Sequence, residues 1–166
     1  KASGASTSMD TPALFFESTR SPATVPSVDV LLGTARELAH LLRLDAATPA
    51  ALADRIAERI ASDVDSPAFV LLKAGTQGAW LIAERVTSVP PVAASVVDTT
   101  GAGDAFMSAL VARLTLSERK IQALSDDEGT SALSFAAHIG SLAVTQKGAV
   151  HGIPEMSTPE LSGVAE

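Results

Sequence analysis

The chain lacks cysteine and tyrosine altogether and carries a single tryptophan and five phenylalanines among 166 residues. Without thiols there is no disulfide, no thiolate nucleophile and no cysteine-ligated zinc or iron site. Any metal must be held by oxygen or imidazole, and the absence fits a reducing, cytoplasmic setting. Basic charge is also scarce, with 12 Lys and Arg against 19 Asp and Glu for a formal charge of −7. Those basic residues are scattered, which excludes nucleic acid as the expected partner, because counterion release needs a clustered basic surface. Long apolar runs are missing as well. The longest, around residues 68–72 and 79–83, fall far short of the roughly 20 residues that span a bilayer, so no membrane segment is expected. The opening KASGASTS has no apolar centre of the kind a secretory signal requires.

What is present is enough to fold. Apolar residues make up 46% of the chain and charged residues only 19%, which suits one domain with a buried core and excludes a disordered chain. Residues 1–10 are small and polar and read as a flexible lead-in, with the folded part over 11–166. Short apolar runs at 13–16 and 28–32 read as strands, the second stopping at Gly33. Thr34 followed three residues later by Glu37 is a capping box that opens a helix carrying Leu38, Leu41 and Leu42 on one face. Pro49 opens a second helix to about residue 62, striped by Leu52, Ala53, Ile56 and Ile60.

Residues 69–73 form a continuous apolar run suited to a strand buried on both faces. Gly75 and Gly78 then punctuate a turn into a returning strand at 79–82. Residues 96–97 read as a strand entering a Thr- and Gly-rich loop. Helices follow over about 105–114 and 131–144, the latter rich in small residues as if packed closely on a sheet, and a weak helix follows Pro159. Strands alternating with helices imply a layered α/β domain with a largely parallel sheet and one antiparallel hairpin.

The chemistry concentrates in VVDTTGAGDAFMSALVARL, residues 96–114. Glycines at 101 and 103 let the backbone turn sharply, and the first amides of the following helix point into the space beside the turn. A dinucleotide-binding G-x-G-x-x-G fails because its third glycine position is Phe106. A Walker A loop fails because Asp104 stands where a lysine is required. A carboxylate at the mouth of an anion hole would repel phosphate unless it had its own task. Phosphoryl transfer supplies one: amides hold the charge on the moving group while a base takes the proton of the attacking hydroxyl. The alternative is that Asp104 merely complements the positive end of the helix dipole.

At these residues the chain resembles a family. DTTGAGDAF, residues 98–106, is similar to the second signature of the PfkB, or ribokinase-like, carbohydrate kinases. KAGTQG at 73–78 resembles the family's hairpin that contacts the nucleotide, and FAAHIGSLAVTQKGA at 135–149 resembles the helix and turn that close its adenine pocket. DVLL at 29–32 with residues 34–37 resembles its D-I-L-L-P-N-x-x-E segment, so the resemblance spans about 28–155. It implies an α/β, ribokinase-like three-layer sandwich with a mostly parallel sheet, of which this chain corresponds to the C-terminal, nucleotide-binding half.

The resemblance further implies ATP-dependent transfer of the γ-phosphoryl group to a hydroxyl of a sugar or sugar acid. Asp104 inherits the role of base, and Gly101, Ala102 and Gly103 that of the anion hole. Lys73, Gly75, Gly78 and Ala137 fall on the nucleotide site. Glu37 falls on the glutamate that helps place Mg2+, and Asp98 and Thr100 on the monovalent cation site of K+-activated relatives. The implied partners are a small-molecule sugar or nucleoside, and a second copy of the chain in the full-length protein, since many relatives dimerise. Two alternatives stand beside this reading: a nucleoside kinase of the same family, and a truncated, inactive nucleotide-binding relative.

The departures from the family pattern matter too. Thr34 replaces the asparagine of N-x-x-E, so Glu37 is read either as a metal-placing residue or as the partner in the capping box alone. Ala137 replaces a polar adenine-side residue and leaves a flat apolar wall. His40, His138 and His151 are expected on the surface, Lys147 at a solvated helix end, and Trp80 in the core.

Overall fold

The structure is a computed structural model that describes residues 8–10, 28–62, 67, 69–116, 124–153 and 155. They fall into two compact units, Lys1–Ser88 and Val89–Glu166.

The first unit is built on a sheet with strand order β1 (Ser8–Asp10), β2 (Val30–Thr34), β3 (Phe69–Lys73), β4 (Ala79–Ile82) and β5 (Val86–Val89). β1, β2 and β3 run parallel, and β4 returns antiparallel to β3. Helices α1 (Ala35–Leu42) and α2 (Pro49–Ser62) lie between β2 and β3 in the chain. Leu31, Val70, Leu72 and Ile82 of the sheet join Leu38 and Leu42 of α1 and Leu52, Ala53 and Ile56 of α2 in one buried cluster. Each large aliphatic side chain so buried contributes roughly 1.5–3 kcal/mol. Leu32 and Leu71, which alternate with that set, are also fully buried, so the centre of the sheet is covered on both faces as parallel strands require.

Capping decides where the two helices start. Thr34 accepts from Glu37 N while the Glu37 carboxylate accepts from Thr34 N at 2.7 Å, the expected capping box. Thr48 Oγ1 accepts from Ala51 N at 3.2 Å, and Pro49 in the first helical position needs no partner for a missing N–H. α1 ends at Arg43, which takes φ 53.

Four details differ from expectation. β2 does not stop at Gly33 but runs to Thr34, because the pairs Gly33↔Leu72 and Thr34↔Lys73 continue the ladder. Ser8–Asp10, the end of the segment expected to be a flexible lead-in, pairs with β2 as β1. β5 was not anticipated, although the β-branched Val86, Thr87 and Val89 ahead of two prolines carried a strand signal. Trp80 is half-buried and packs against the edge of the core cluster. The runs expected as a strand at 13–16 and a helix after Pro159 lie outside the described residues.

The second unit pairs α3 (Ala102–Leu116) with α4 (Asp126–Ala143). Both helices begin before their expected starts. α4 does so because Ser125 and Glu128 form a second capping box, with Ser125 N donating to Glu128 Oε2 at 2.8 Å. Ala105, Phe106, Ala109 and Leu110 of α3 and Ala132, Leu133, Ala136 and Ile139 of α4 are buried. The small-residue face of α4, expected to lie on a sheet, packs within this unit on α3: a Cβ added to Gly140 would sit 3.2 Å from Phe106 Cβ. Arg113 of α3 lies over the Phe135 ring of α4 at 4.8 Å and donates to Ser131 Oγ at 3.0 Å. The strand expected at 96–97 does not form. The Val97 and Asp98 amides donate to Val144 O at 2.8 and 3.2 Å instead of to a sheet neighbour, and both valines are exposed. Among the described residues no helix is long and apolar enough to cross a membrane.

Candidate active site

The loop entering α3 turns at Gly101, whose φ of +79 is costly for any residue bearing a Cβ. Gly101 O accepts from Ala105 N at 2.8 Å, which starts the helix. By the geometry of an α-helix, the amides of its first residues have no acceptor inside it. Ala102 N reaches back to Thr99 O at 3.3 Å, a long bond, while Gly103 and Asp104 contribute the next two amides. Asp104 lies in the first turn with its side chain exposed to solvent. The turn therefore presents main-chain donors and a carboxylate side by side, at the positive end of the α3 dipole.

Asp98 holds the base of this turn. Its Oδ1 accepts from Thr100 N at 2.9 Å and its Oδ2 from Gly148 N at 2.9 Å. The Thr100 amide, then the Gly148 amide and the Thr100 hydroxyl, keep its carboxyl below the usual aspartate range, against a small opposing effect of burial. Gly148, at φ +94, and Ala149 belong to the turn that follows α4. Within the second unit the structure thus gathers Asp98, Thr100, Gly101, Ala102, Gly103 and Asp104 of the expected site into one turn. Ala137 is half-buried in α4. The part of Gly148 and Ala149 in holding the turn escaped sequence reasoning, because only their position within a family-like segment was visible. His138, His151 and Lys147 are exposed, as is His40 in the first unit, in line with their surface readings.

In the first unit, the C-terminal ends of three parallel strands carry Asp10, Thr34 and Lys73. Thr34 pairs with Lys73, and Asp10 pairs with Leu32 two residues before Thr34. In open α/β sheets such strand ends are where ligands bind. Lys73 leads into the turn from Ala74 to Gly78, closed by Ala74 N to Gly78 O at 2.9 Å. Gly75 takes φ +55 and a Cβ there would meet nothing within 4 Å, so the space above the turn is open. Gly78 takes φ +100. Lys73 Nζ lies 3.6 Å from Asp10 Oδ2, a partner that sequence reasoning missed because Asp10 sat in the presumed lead-in.

Glu37 is committed through Oε2 to the Thr34 amide and hydroxyl at 2.7 and 2.8 Å, so the capping reading holds structurally. Among the described residues no group of three or more His, Asp or Glu side chains could hold a metal. That donor set does not fit an all-protein metal cage. Mg2+ asks less of the protein, since it keeps most of its waters and takes one or two carboxylates together with substrate phosphates, and the cap engages Glu37 through Oε2. Asp98 and Thr100 offer oxygen atoms of the hard type that suits K+.

The sequence profile of the pfkB family carbohydrate kinases matches residues 11–156. Among curated proteins, the fructokinase of Vibrio alginolyticus is 38% identical over 88 residues, 52% of this chain and 28% of that protein. The 2-dehydro-3-deoxygalactonokinase of Haloferax volcanii is 34% identical over 120 residues, 72% of this chain and 36% of that protein. Among solved structures, the fructokinase of Vibrio cholerae O395 in fructose-, ADP- and calcium-bound form superposes with a TM-score of 0.63. It is 27% identical and covers 84% of this chain and 41% of its own. The fold is accordingly α/β and ribokinase-like, and the chain spans well under half the length of these relatives.

Proposed function

The chain belongs to the pfkB family of carbohydrate kinases, and on that premise we propose that it carries the nucleotide-binding and base-bearing part of an ATP-dependent phosphotransferase. The acceptor is a hydroxyl of a sugar or sugar acid. The observation that carries this reading is the turn at Gly101, which sets main-chain amides beside the exposed Asp104 carboxylate at the start of α3.

In this reading Asp104 accepts the proton of the attacking hydroxyl as its oxygen bonds to the γ-phosphorus and the bond to the β-phosphate oxygen breaks. The amides of Gly101, Ala102 and Gly103 hold the charge that develops on the transferred group. Ala102 N would exchange its 3.3 Å bond to Thr99 O for a phosphoryl oxygen. Lys73 and the open turn at Gly75 and Gly78 meet the nucleotide, and Ala137 offers the base an apolar wall. Glu37, through its second carboxylate oxygen, would help hold the waters of Mg2+, and Asp98 and Thr100 would serve K+. When bound, Mg2+ supplies neutralising charge on the β- and γ-phosphates. The site of action is the cytoplasm, a setting that the lack of cysteine fits.

A calorimetric titration with ATP and MgCl2, followed by an ADP-release screen over fructose, ribose, sugar acids and nucleosides, tests the proposal. ATP binding with ADP release for a sugar or sugar acid is expected. Release for nucleosides alone moves the acceptor class, and failure of the folded chain to bind ATP defeats the reading. Binding without turnover for every acceptor favours an inactive nucleotide-binding relative. The observation behind that second reading is Thr34, which stands at the asparagine position of the family pattern and engages Glu37 in the cap.

A further inference from the structure

A carboxylate accepts hydrogen bonds at two oxygens and offers no donor. Asp98 uses both on main-chain amides from separate parts of the second unit, Thr100 N at 2.9 Å and Gly148 N at 2.9 Å. The first bond closes a local Asx-type turn. The second ties that turn to the segment after α4. Around it Val144 O accepts from Val97 N and Asp98 N, and Ala149 backs directly onto Gly101. An asparagine at 98 could satisfy one of the two amides but would turn its NH2 toward the other, leaving a donor facing a donor.

From this geometry we infer that Asp98 is a positioning residue: by clasping Gly148 it sets the 99–103 turn, and through it the aim of the Ala102 and Gly103 amides and of the Asp104 carboxylate. The consequence for catalysis rests on the phosphotransfer reading, whereas the clasp itself rests on hydrogen bonds alone.

The test uses Asp98→Asn and Asp98→Ala in the full chain, with Asp98→Asn as the variant that keeps one acceptor and the fold. Amide exchange is measured at Gly148 in K+ and in tetramethylammonium, together with amide resonances at Gly103 and Asp104 and kcat and KM for ATP. Asp98→Ala should speed Gly148 exchange by about tenfold or more, since a protecting bond is lost, and both variants should move the Gly103 and Asp104 resonances while α4 stays unchanged. In the variants kcat should fall by roughly 10²-fold, as for a misplaced reacting group. KM for ATP should hold. Unchanged Gly148 exchange and unmoved Gly103 and Asp104 resonances overturn the inference. So does Gly148 exchange that in the wild type rises to the Asp98→Ala rate when K+ is withdrawn, because the cation rather than the clasp would then hold the turn. Absence of wild-type turnover with every acceptor defeats the phosphotransfer reading separately, and the exchange and resonance measurements still decide the clasp.

Discussion

Ala149 lies against Gly101 so closely that a Cβ added to Gly101 would sit 2.6 Å from the Ala149 carbonyl oxygen and 2.7 Å from its Cβ. Two constraints meet at this glycine, a left-handed φ of +79 and a lack of space. Gly75 meets only the first, with φ +55 and nothing within 4 Å of an added Cβ.

Gly101→Ala should therefore cost more than Gly75→Ala. Strain and displacement of Ala149 together are expected to destabilise by about 3 kcal/mol, whereas left-handed strain alone at Gly75 costs about 1–2 kcal/mol. Urea unfolding of both variants measures the difference, and equal losses would mean that Ala149 moves aside freely.

At the start of α1, Thr34→Ala removes the side-chain acceptor of the Glu37 amide and should cost about 1 kcal/mol. Glu37→Gln keeps an oxygen for Thr34 N and is tolerated in a capping box, so its stability should stay close to wild type. If Glu37 also helps hold Mg2+, the same variant lowers kcat at limiting Mg2+. A fully active Glu37→Gln would leave the cap as the whole role of this residue.

Asp104→Asn should lower kcat by roughly 10²- to 10⁴-fold, the range for loss of a general base, while ATP affinity changes little. Its exposure in the first turn of α3 means that the variant should fold normally. Near-complete retention of turnover, measured by ADP release, would remove Asp104 from the mechanism.

Two main-chain amides and the Thr100 hydroxyl lower the Asp98 pKa in the folded chain. The native state therefore binds this proton more weakly than the unfolded one. The carboxylate contributes to stability above the unfolded value of about 3.9, and that contribution is lost as pH falls through the lower native pKa. In buffer free of metal and alkali cations, the stability gap between wild type and Asp98→Asn should be full at pH 6 and shrink toward pH 2. A gap independent of pH would show that Asp98 acts through shape alone.

Much of the local structure was legible in the residues. The Thr34–Glu37 cap, the helix opened by Pro49, the hairpin punctuated by Gly75 and Gly78, and the D-T-T-G-A-G-D turn each depend on residues within a few positions of one another. Ser125 and Glu128 had the same legible form and were missed only because the helix was read from its apolar stripe, which begins later. The partnership of Lys73 with Asp10, by contrast, needed β1 to pair with β2, and three strand residues at the end of a small, polar segment carry little signal of that.

The residue order alone thus determined the family, the Thr34–Glu37 cap and the glycine turns, and which side chain could serve as base beside which main-chain amides. Folding in three dimensions decided that Asp98 is clasped by Gly148, that Ala149 closes the space beside Gly101, and that residues 96–97 bond to Val144 rather than join a sheet. The reason is physical. Local rules operate through backbone geometry within a turn or two, whereas a hydrogen-bond donor from fifty residues away is chosen by which segments the packed core brings together.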